Sequence, residues 1–254
     1  MVWRINARLR VYGTNRLYML VLAIDTCKAR GSVAALVDGV ARETVVHDAA
    51  EEYSSWLLPA VERALGAVFK SIEEVDLYAV ATGPGSFTGV RIGLTTVKAC
   101  AEVFGKPIAA MSRLEVVARE ARSNEGVVAA VIDGGRGQVF GALHRRNGGR
   151  ITNVLEEMIL PVEEFVALVG QTAGGELVGW VSTDPQLLEA SEAWKVRGEH
   201  VLGVTSILAP LIGKLGMEQA SRGEVVDALQ LDANYVRRSY VEVFSKGAPG
   251  GSRT

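Results

Sequence analysis

Unbroken apolar runs alternate along the chain with segments of helical periodicity. Residues 18–25, Tyr-Met-Leu-Val-Leu-Ala-Ile-Asp, form a short apolar run ending on an acid, the pattern of a central strand covered on both faces. Residues 31–37 and 40–47 read as two further strands joined by Asp38-Gly39, a strong hairpin-turn pair. Leu57, Val61, Leu65 and Val68 recur at helical spacing and predict a helix over 54–70. Ser55 is its expected N-cap, which puts Pro59 in the first turn, where a missing N–H costs little. A strand over 76–81 and a long helix over 88–104 follow, the helix stopped by Gly105 and Pro107. The second half predicts a helix over 112–122, with Ser112 and Glu115 in capping-box spacing, and strands over 127–132, 138–144 and 150–156. A helix over 161–169 with Pro at its start, a strand over 177–181 and a helix over 206–221 complete the pattern.

The order is strand, hairpin, helix, strand, helix, and then roughly the same again, although the letters do not repeat. Hairpins require antiparallel strands, so two α/β lobes with mixed sheets fit better than one doubly wound sheet. The expected division is an N-terminal lobe over 19–108 and a C-terminal lobe over 109–240, with the helix over 206–221 able to pack back on the first lobe. Residues 1–18 are expected to be a disordered leader or to lie upstream of the true start, because Met19 opens the first strand directly. Residues 241–254 are expected to be a flexible tail.

Composition removes several function classes. Two cysteines, Cys27 and Cys100, without a Cys-x-x-Cys pair exclude a disulfide scaffold or a zinc ribbon and fit a reducing, cytoplasmic compartment. His47, His144 and His200 share no metal-ligand spacing. His47 is expected to end a hairpin strand, His144 to be solvated beside Arg145-Arg146, and Glu51-Glu52 and Glu73-Glu74 to be solvated near helix starts. The net charge of −2 divides into four arginines within residues 1–18 and a body of 23 − 29 = −6, a poor stand-alone nucleic-acid binder. No apolar run approaches the roughly 18 residues of a membrane span.

The most informative stretch is Gly83-Pro84-Gly85-Ser86-Phe87-Thr88-Gly89-Val90-Arg91-Ile92-Gly93, between a strand and a long helix. Such a loop can offer N–H groups and a helix N-terminus to an anion, or can simply be a tight turn that permits close packing. It is neither a Walker loop nor G-x-G-x-x-G. Gly85, Gly89, Gly93, Val97 and Ala101 recur every four residues as a small-residue ridge that allows close helix approach. Asp25-Thr26 and Asp133-Gly134 end the first strands of the two halves, each before a hairpin, and suggest a cleft able to face a phosphate or its magnesium.

These segments, in order with Asp232-Ala233-Asn234-Tyr235-Val236-Arg237, resemble the TsaB (YeaZ) family, accessory proteins of tRNA threonylcarbamoyladenosine synthesis, over about residues 19–240. The resemblance implies the two-lobed fold of actin, Hsp70 and sugar kinases. It implies a TsaD transferase partner and a TsaE ATPase partner, which together modify N6 of the adenosine 3′ of the anticodon in tRNAs reading ANN codons. It implies no catalytic residue and no metal in this subunit: the stretch 108–115, where the catalytic relative carries two histidines, has none. ATP, ADP and Mg are used by the assembly; nucleotide binding by this subunit stays open. Tyr53 departs from relatives with a His before the first helix. Two helices, here 54–70 and 88–104, would form the partner interface, with Leu57, Val61, Leu65, Gly85, Gly89, Gly93, Val97 and Ala101 as its contacts and a homodimer when the chain is alone. On that reading Gly89→Leu blocks partner binding in a folded lobe. Asp25, Thr26, Asp133 and Gly134 would line a vestigial nucleotide-type cleft, beside the loop residues Gly83, Pro84, Gly85, Ser86, Thr88, Gly89 and Arg91. tRNA would be met mainly through the complex. The competing enzyme reading is an active ATP-dependent kinase or ATPase of the same fold; a metallopeptidase is a third class.

Overall fold

The computed structural model describes residues 18–148 and 150–236. The expectations for the leader, for Arg237 and for the tail lie outside those residues. The described chain divides into two compact units, 18–119 joined by 205–235, and 120–204 with residue 236.

The first unit opens with β1 (Leu20–Asp25), β2 (Ser32–Val37) and β3 (Val40–Val46). They form an antiparallel meander in which the Asp38-Gly39 turn joins β2 to β3, and both turn residues take positive φ, 51° and 75°. Helix α1 (Tyr53–Gly66), β4 (Leu77–Ala81), α2 (Phe87–Phe104), β5 (Ile108–Met111) and α3 (Arg113–Arg119) follow. The sheet order is β3-β2-β1-β4-β5, with β1, β4 and β5 parallel. β5 is therefore a strand of the first sheet, which carries the unit past the expected boundary at 108.

The second unit contains β6 (Gly126–Gly135), β7 (Gln138–Asn147), β8 (Arg150–Pro161), α4 (Val162–Ala173), β9 (Val178–Ser182), α5 (Gln186–Glu189), α6 (Glu192–Arg197) and β10 (Val201–Gly203). Its sheet order, β10-β9-β6-β7-β8, is that of the first sheet read from the other side. Its core stacks Phe165, Trp180 and Trp194 edge to face, and the Trp180 indole donates to Glu199 at 2.5 Å. The chain then returns to the first unit as α7 (Ala209–Arg222).

Helix α7 lies on a floor of methyl groups. Ala34, Ala23, Ala79 and Ala109 sit side by side in register across β2, β1, β4 and β5, all fully buried. The helix meets this row with glycines: a Cβ on Gly216 would lie 2.8 Å from Ala79 Cβ and 3.1 Å from Ala109 Cβ. On β1, Ala23 faces Gly213 of α7 while its neighbour Ile24 faces Gly93 of α2. Successive strand residues point to opposite faces, so α7 and α2 cover opposite sides of the first sheet.

Several local expectations change. Helix α1 begins at Tyr53 with Glu52 as N-cap, so Pro59 falls in the helix interior and withholds the N–H that would reach Ser55 O. Ser112 Oγ accepts from Leu114 N at 3.0 Å, but Glu115 turns to Arg119 instead of closing a capping box. The box forms instead at Ser71 and Glu74, where Glu74 also pairs with Lys70 at 3.0 Å, so this acid is not merely solvated. His144 is buried, because β7 runs on to Asn147, and its Nδ1 lies 3.0 Å from Asn153 Oδ1.

Replacing Gly216 with Val forces methyl groups into the alanine floor. The expected cost is about 1–3 kcal/mol, read as a lower urea midpoint for the first unit.

Candidate functional site

The end of β1 and the Gly-rich loop meet in the first unit. Asp25 is 1% exposed and Arg113, at the start of α3, is 0% exposed; Arg113 Nε donates to Asp25 Oδ2 at 3.1 Å. Oδ1 accepts from Cys27 N at 3.0 Å. Thr26 is buried too, and its hydroxyl donates to Gly89 O at 2.7 Å. Asp25 and Thr26 are thus committed to partners inside the protein instead of lining an open phosphate site. The reason is Arg113, which sequence reasoning missed: the one local hint is an arginine two positions after the apolar run Ile-Ala-Ala-Met, and a buried charge there needs a partner.

The loop itself is fastened from several sides. Thr82 N donates to Met111 O at 2.9 Å, Arg113 N to Gly83 O at 2.7 Å, and Ser86 N to Cys27 O at 2.7 Å. The Gly83–Pro84 peptide is cis, and Gly83 takes φ 118°. Ser86 caps α2 by accepting from Gly89 N at 3.3 Å. Two of the amides that an anion would need are therefore engaged by the protein.

The glycine ridge faces inward. A Cβ on Gly85 would overlap Cys27 O, one on Gly89 would overlap Thr26 O, and one on Gly93 would overlap Thr26 Oγ1. Gly89, Gly93, Val97 and Ala101 are buried within their own unit, as are Leu57, Val61 and Leu65 of α1. The expected interface contacts are corrected to that extent: these buried residues seat α1 and α2 on the first sheet, while Gly85 is half-buried in the loop ahead of α2. Gly89→Leu would disrupt the lobe. The apolar side chains these two helices do expose are Leu58 (54%), Phe87 (54%) and Val103 (73%).

Among the other loop residues, Pro84 is buried and Thr88 is exposed. Arg91 lies 3.7 Å above the Phe87 ring and donates from Nε to Tyr235 Oη at 2.9 Å. Tyr53 braces the neighbouring 28–31 turn. Its hydroxyl accepts from Gly31 N at 2.7 Å and donates to Lys28 O. Its ring stacks on buried His47 at 3.9 Å, and burial raises the phenol well above its ordinary pKa. His47 Nδ1 reaches Ala29 O at 2.6 Å, so that nitrogen carries the proton.

In the second unit, Asp133 and Gly134 stand near the end of β6 at a bulge against β7. Asp133 Oδ1 accepts from Gly135 N at 2.8 Å, and its own N–H donates to Asp184 Oδ2 at 3.1 Å. Asp184, just beyond β9, was not singled out in the sequence. Among the described residues, no group of three or more His, Cys, Asp or Glu side chains could hold a metal, and no helix is long and apolar enough to cross a membrane.

Two sheets of one strand order, each an antiparallel meander extended by parallel strands and each tipped by an aspartate at its central strand, define the actin, Hsp70 and sugar-kinase class of α/β proteins. A family model described as TsaD, tRNA N6-adenosine threonylcarbamoyltransferase, matches residues 31–178, more than half of the chain. The tRNA threonylcarbamoyladenosine biosynthesis protein TsaB of Bacillus subtilis is 30% identical over 59% of this chain and 66% of its own length. The TsaB of Escherichia coli is 29% identical over 87% of this chain and 96% of its own. The solved structure of YeaZ from Pseudomonas aeruginosa superposes with a TM-score of 0.65 at 25% identity, covering 86% of this chain and all of that one. The chain belongs to the TsaB (YeaZ) family.

Two outcomes follow from the site. Arg113→Met leaves Asp25 buried without its cation and is expected to cost about 3–5 kcal/mol; the double variant Asp25→Leu/Arg113→Met should recover part of that loss in denaturant titrations. Burial first, and then the Asp25 carboxylate, push the Cys27 thiol well above its ordinary pKa, and burial also raises that of the half-buried Cys100. Iodoacetamide should therefore modify Cys100 first and spare Cys27 until the protein unfolds, as read by peptide mass spectrometry. The raised Cys27 pKa contributes stability at neutral pH that declines once the unfolded thiol ionises, above about pH 9.

Proposed function

We propose that this chain takes part in tRNA threonylcarbamoyladenosine formation as a non-catalytic accessory subunit. It binds and activates the TsaD transferase together with the TsaE ATPase. The assembly transfers threonylcarbamoyl to N6 of the adenosine 3′ of the anticodon in tRNAs reading ANN codons. The observation that carries this reading is the Asp25–Arg113 pair: the carboxylate a kinase of this class would turn toward magnesium and phosphate is already neutralised by a buried guanidinium.

The relatives named for this biosynthesis support the pathway, and the family model named for the transferase supports a related partner. The exposed apolar side chains Leu58, Phe87 and Val103 on α1 and α2 support a docking face distinct from the buried ridge. On this reading the subunit works in the cytoplasm, holds no cofactor of its own, leaves ATP, ADP and Mg to the assembly, meets tRNA through its partners, and pairs with itself through the same face when alone.

The test is reconstitution with purified TsaD, TsaE, threonylcarbamoyl-adenylate and tRNA, followed by nucleoside mass spectrometry. Modification is expected to require the chain and to fall at least about tenfold with Leu58→Asp/Val103→Asp, a surface change that leaves both sheets intact. Equal modification without the chain would overturn the accessory role. Turnover of Mg-ATP by the chain alone would favour a kinase or ATPase.

A further inference from the structure

Residues 224–235 have a role that the reading above does not assign. After α7 the chain runs with little regular structure and is attached at its two ends. At the first end, Val226 and Ile108 exchange both backbone hydrogen bonds, at 2.8 and 2.9 Å, which pairs the outer edge of β5. The middle is exposed: Leu229 stands 88% open, and its turn is held locally by Asp227 Oδ1, which accepts from Leu229 N and Gln230 N. At the second end Leu231 is buried, Asn234 N donates to Thr82 O at 2.9 Å, and Tyr235 reaches α2.

The second attachment falls on the Gly-rich loop and the first turn of α2. Asn234 O comes so close that a Cβ on Gly83 would lie 2.8 Å from it, and the φ of 118° at Gly83 independently demands glycine. Tyr235 accepts the Arg91 Nε hydrogen bond at 2.9 Å, and its ring sits 5.3 Å from that of Phe87. Arg91 caps Phe87 in turn, 3.7 Å above the ring. This is a three-membered cluster of planar groups, with the two rings tilted at 34°, joining the C-terminal segment to the helix start across 144 positions of sequence.

We propose that residues 224–235 are a strap, with Tyr235 as its fastening, which holds the Gly-rich loop and the N-terminal turn of α2 in a single conformation. The loop's other tethers come from Met111, Arg113 and Cys27 through backbone hydrogen bonds and from the Thr26 hydroxyl on Gly89 O. The strap supplies the tether from the C-terminal segment, and Tyr235 is a positioning residue for Phe87 and Arg91.

Hydrogen exchange on the full chain tests it. Tyr235→Ala should speed exchange at the amides of Ser86, Gly89 and Val90 by about tenfold, while β1 and β4 amides keep their protection. Tyr235→Phe, which keeps the ring but loses the Arg91 acceptor, should give a smaller increase at the same amides. Arg91→Ala alters an exposed side chain and leaves the core alone; it should act in the same direction, and combining it with Tyr235→Ala should add little. Unchanged exchange at residues 86–90 in both Tyr235→Ala and Arg91→Ala would overturn the strap. So would fully additive effects of the two substitutions.

Discussion

An acid and a base sealed from water at 1% and 0% exposure tie the first unit together. Asp25 ends the central strand, Arg113 opens α3 after the edge strand, and the carboxylate's second oxygen organises the turn at Cys27. Neither charge could stay buried without the other, because stripping water from a single ion costs more than any nearby packing returns. The pair therefore fixes where the turn after β1 lies, and the turn fixes where α2 can lie. The Thr26 carbonyl and hydroxyl press against Gly89 and Gly93 of that helix, and the Cys27 carbonyl against Gly85 just ahead of it, so closely that a methyl group has no room. In this chain the Asp25 carboxylate has become an internal strut.

Much of the fold was legible in the sequence, and the reasons are physical. The apolar run ending at Asp25, the Asp38-Gly39 turn and the glycine stop after α2 are local signals, and each formed where it was read. The spacing of Gly85, Gly89 and Gly93 correctly announced close approach, but it could not say what approaches. The same four-residue period suits an inner carbonyl or an outer helix, and only the burial of Thr26 and Cys27 decides for the inner one. Leu57, Val61 and Leu65 carried the same ambiguity, since a stripe that fits a sheet also fits a partner. Arg113 and Asp184 went unnoticed because their partners lie 88 and 51 positions away, beyond any periodicity. The charged neighbours of His144 suggest solvent, but alternation along β7 points Arg145 outward and turns His144 in.

The two sheets share a strand order but treat their central aspartates differently. In the first, Asp25 is enclosed and neutralised. In the second, Asp133 stays half-buried, caps Gly135 and leans on Asp184 through its backbone. Shared topology therefore fixes where an acidic residue stands at a strand end, while the neighbours supplied by later elements decide whether it is a strut or a turn-former.

The alanine floor under α7 has a consequence for how the chain is made. The helix that covers one whole face of the first sheet is encoded after the entire second unit. During synthesis, at about 5–20 residues per second, roughly a hundred residues must follow α3 before that face can close. For several seconds a nascent first unit presents an uncovered row of methyl groups on a formed sheet. The small size of those side chains then has a second merit: a floor of alanines buries far less apolar surface in a wrong encounter than one of leucines or valines would.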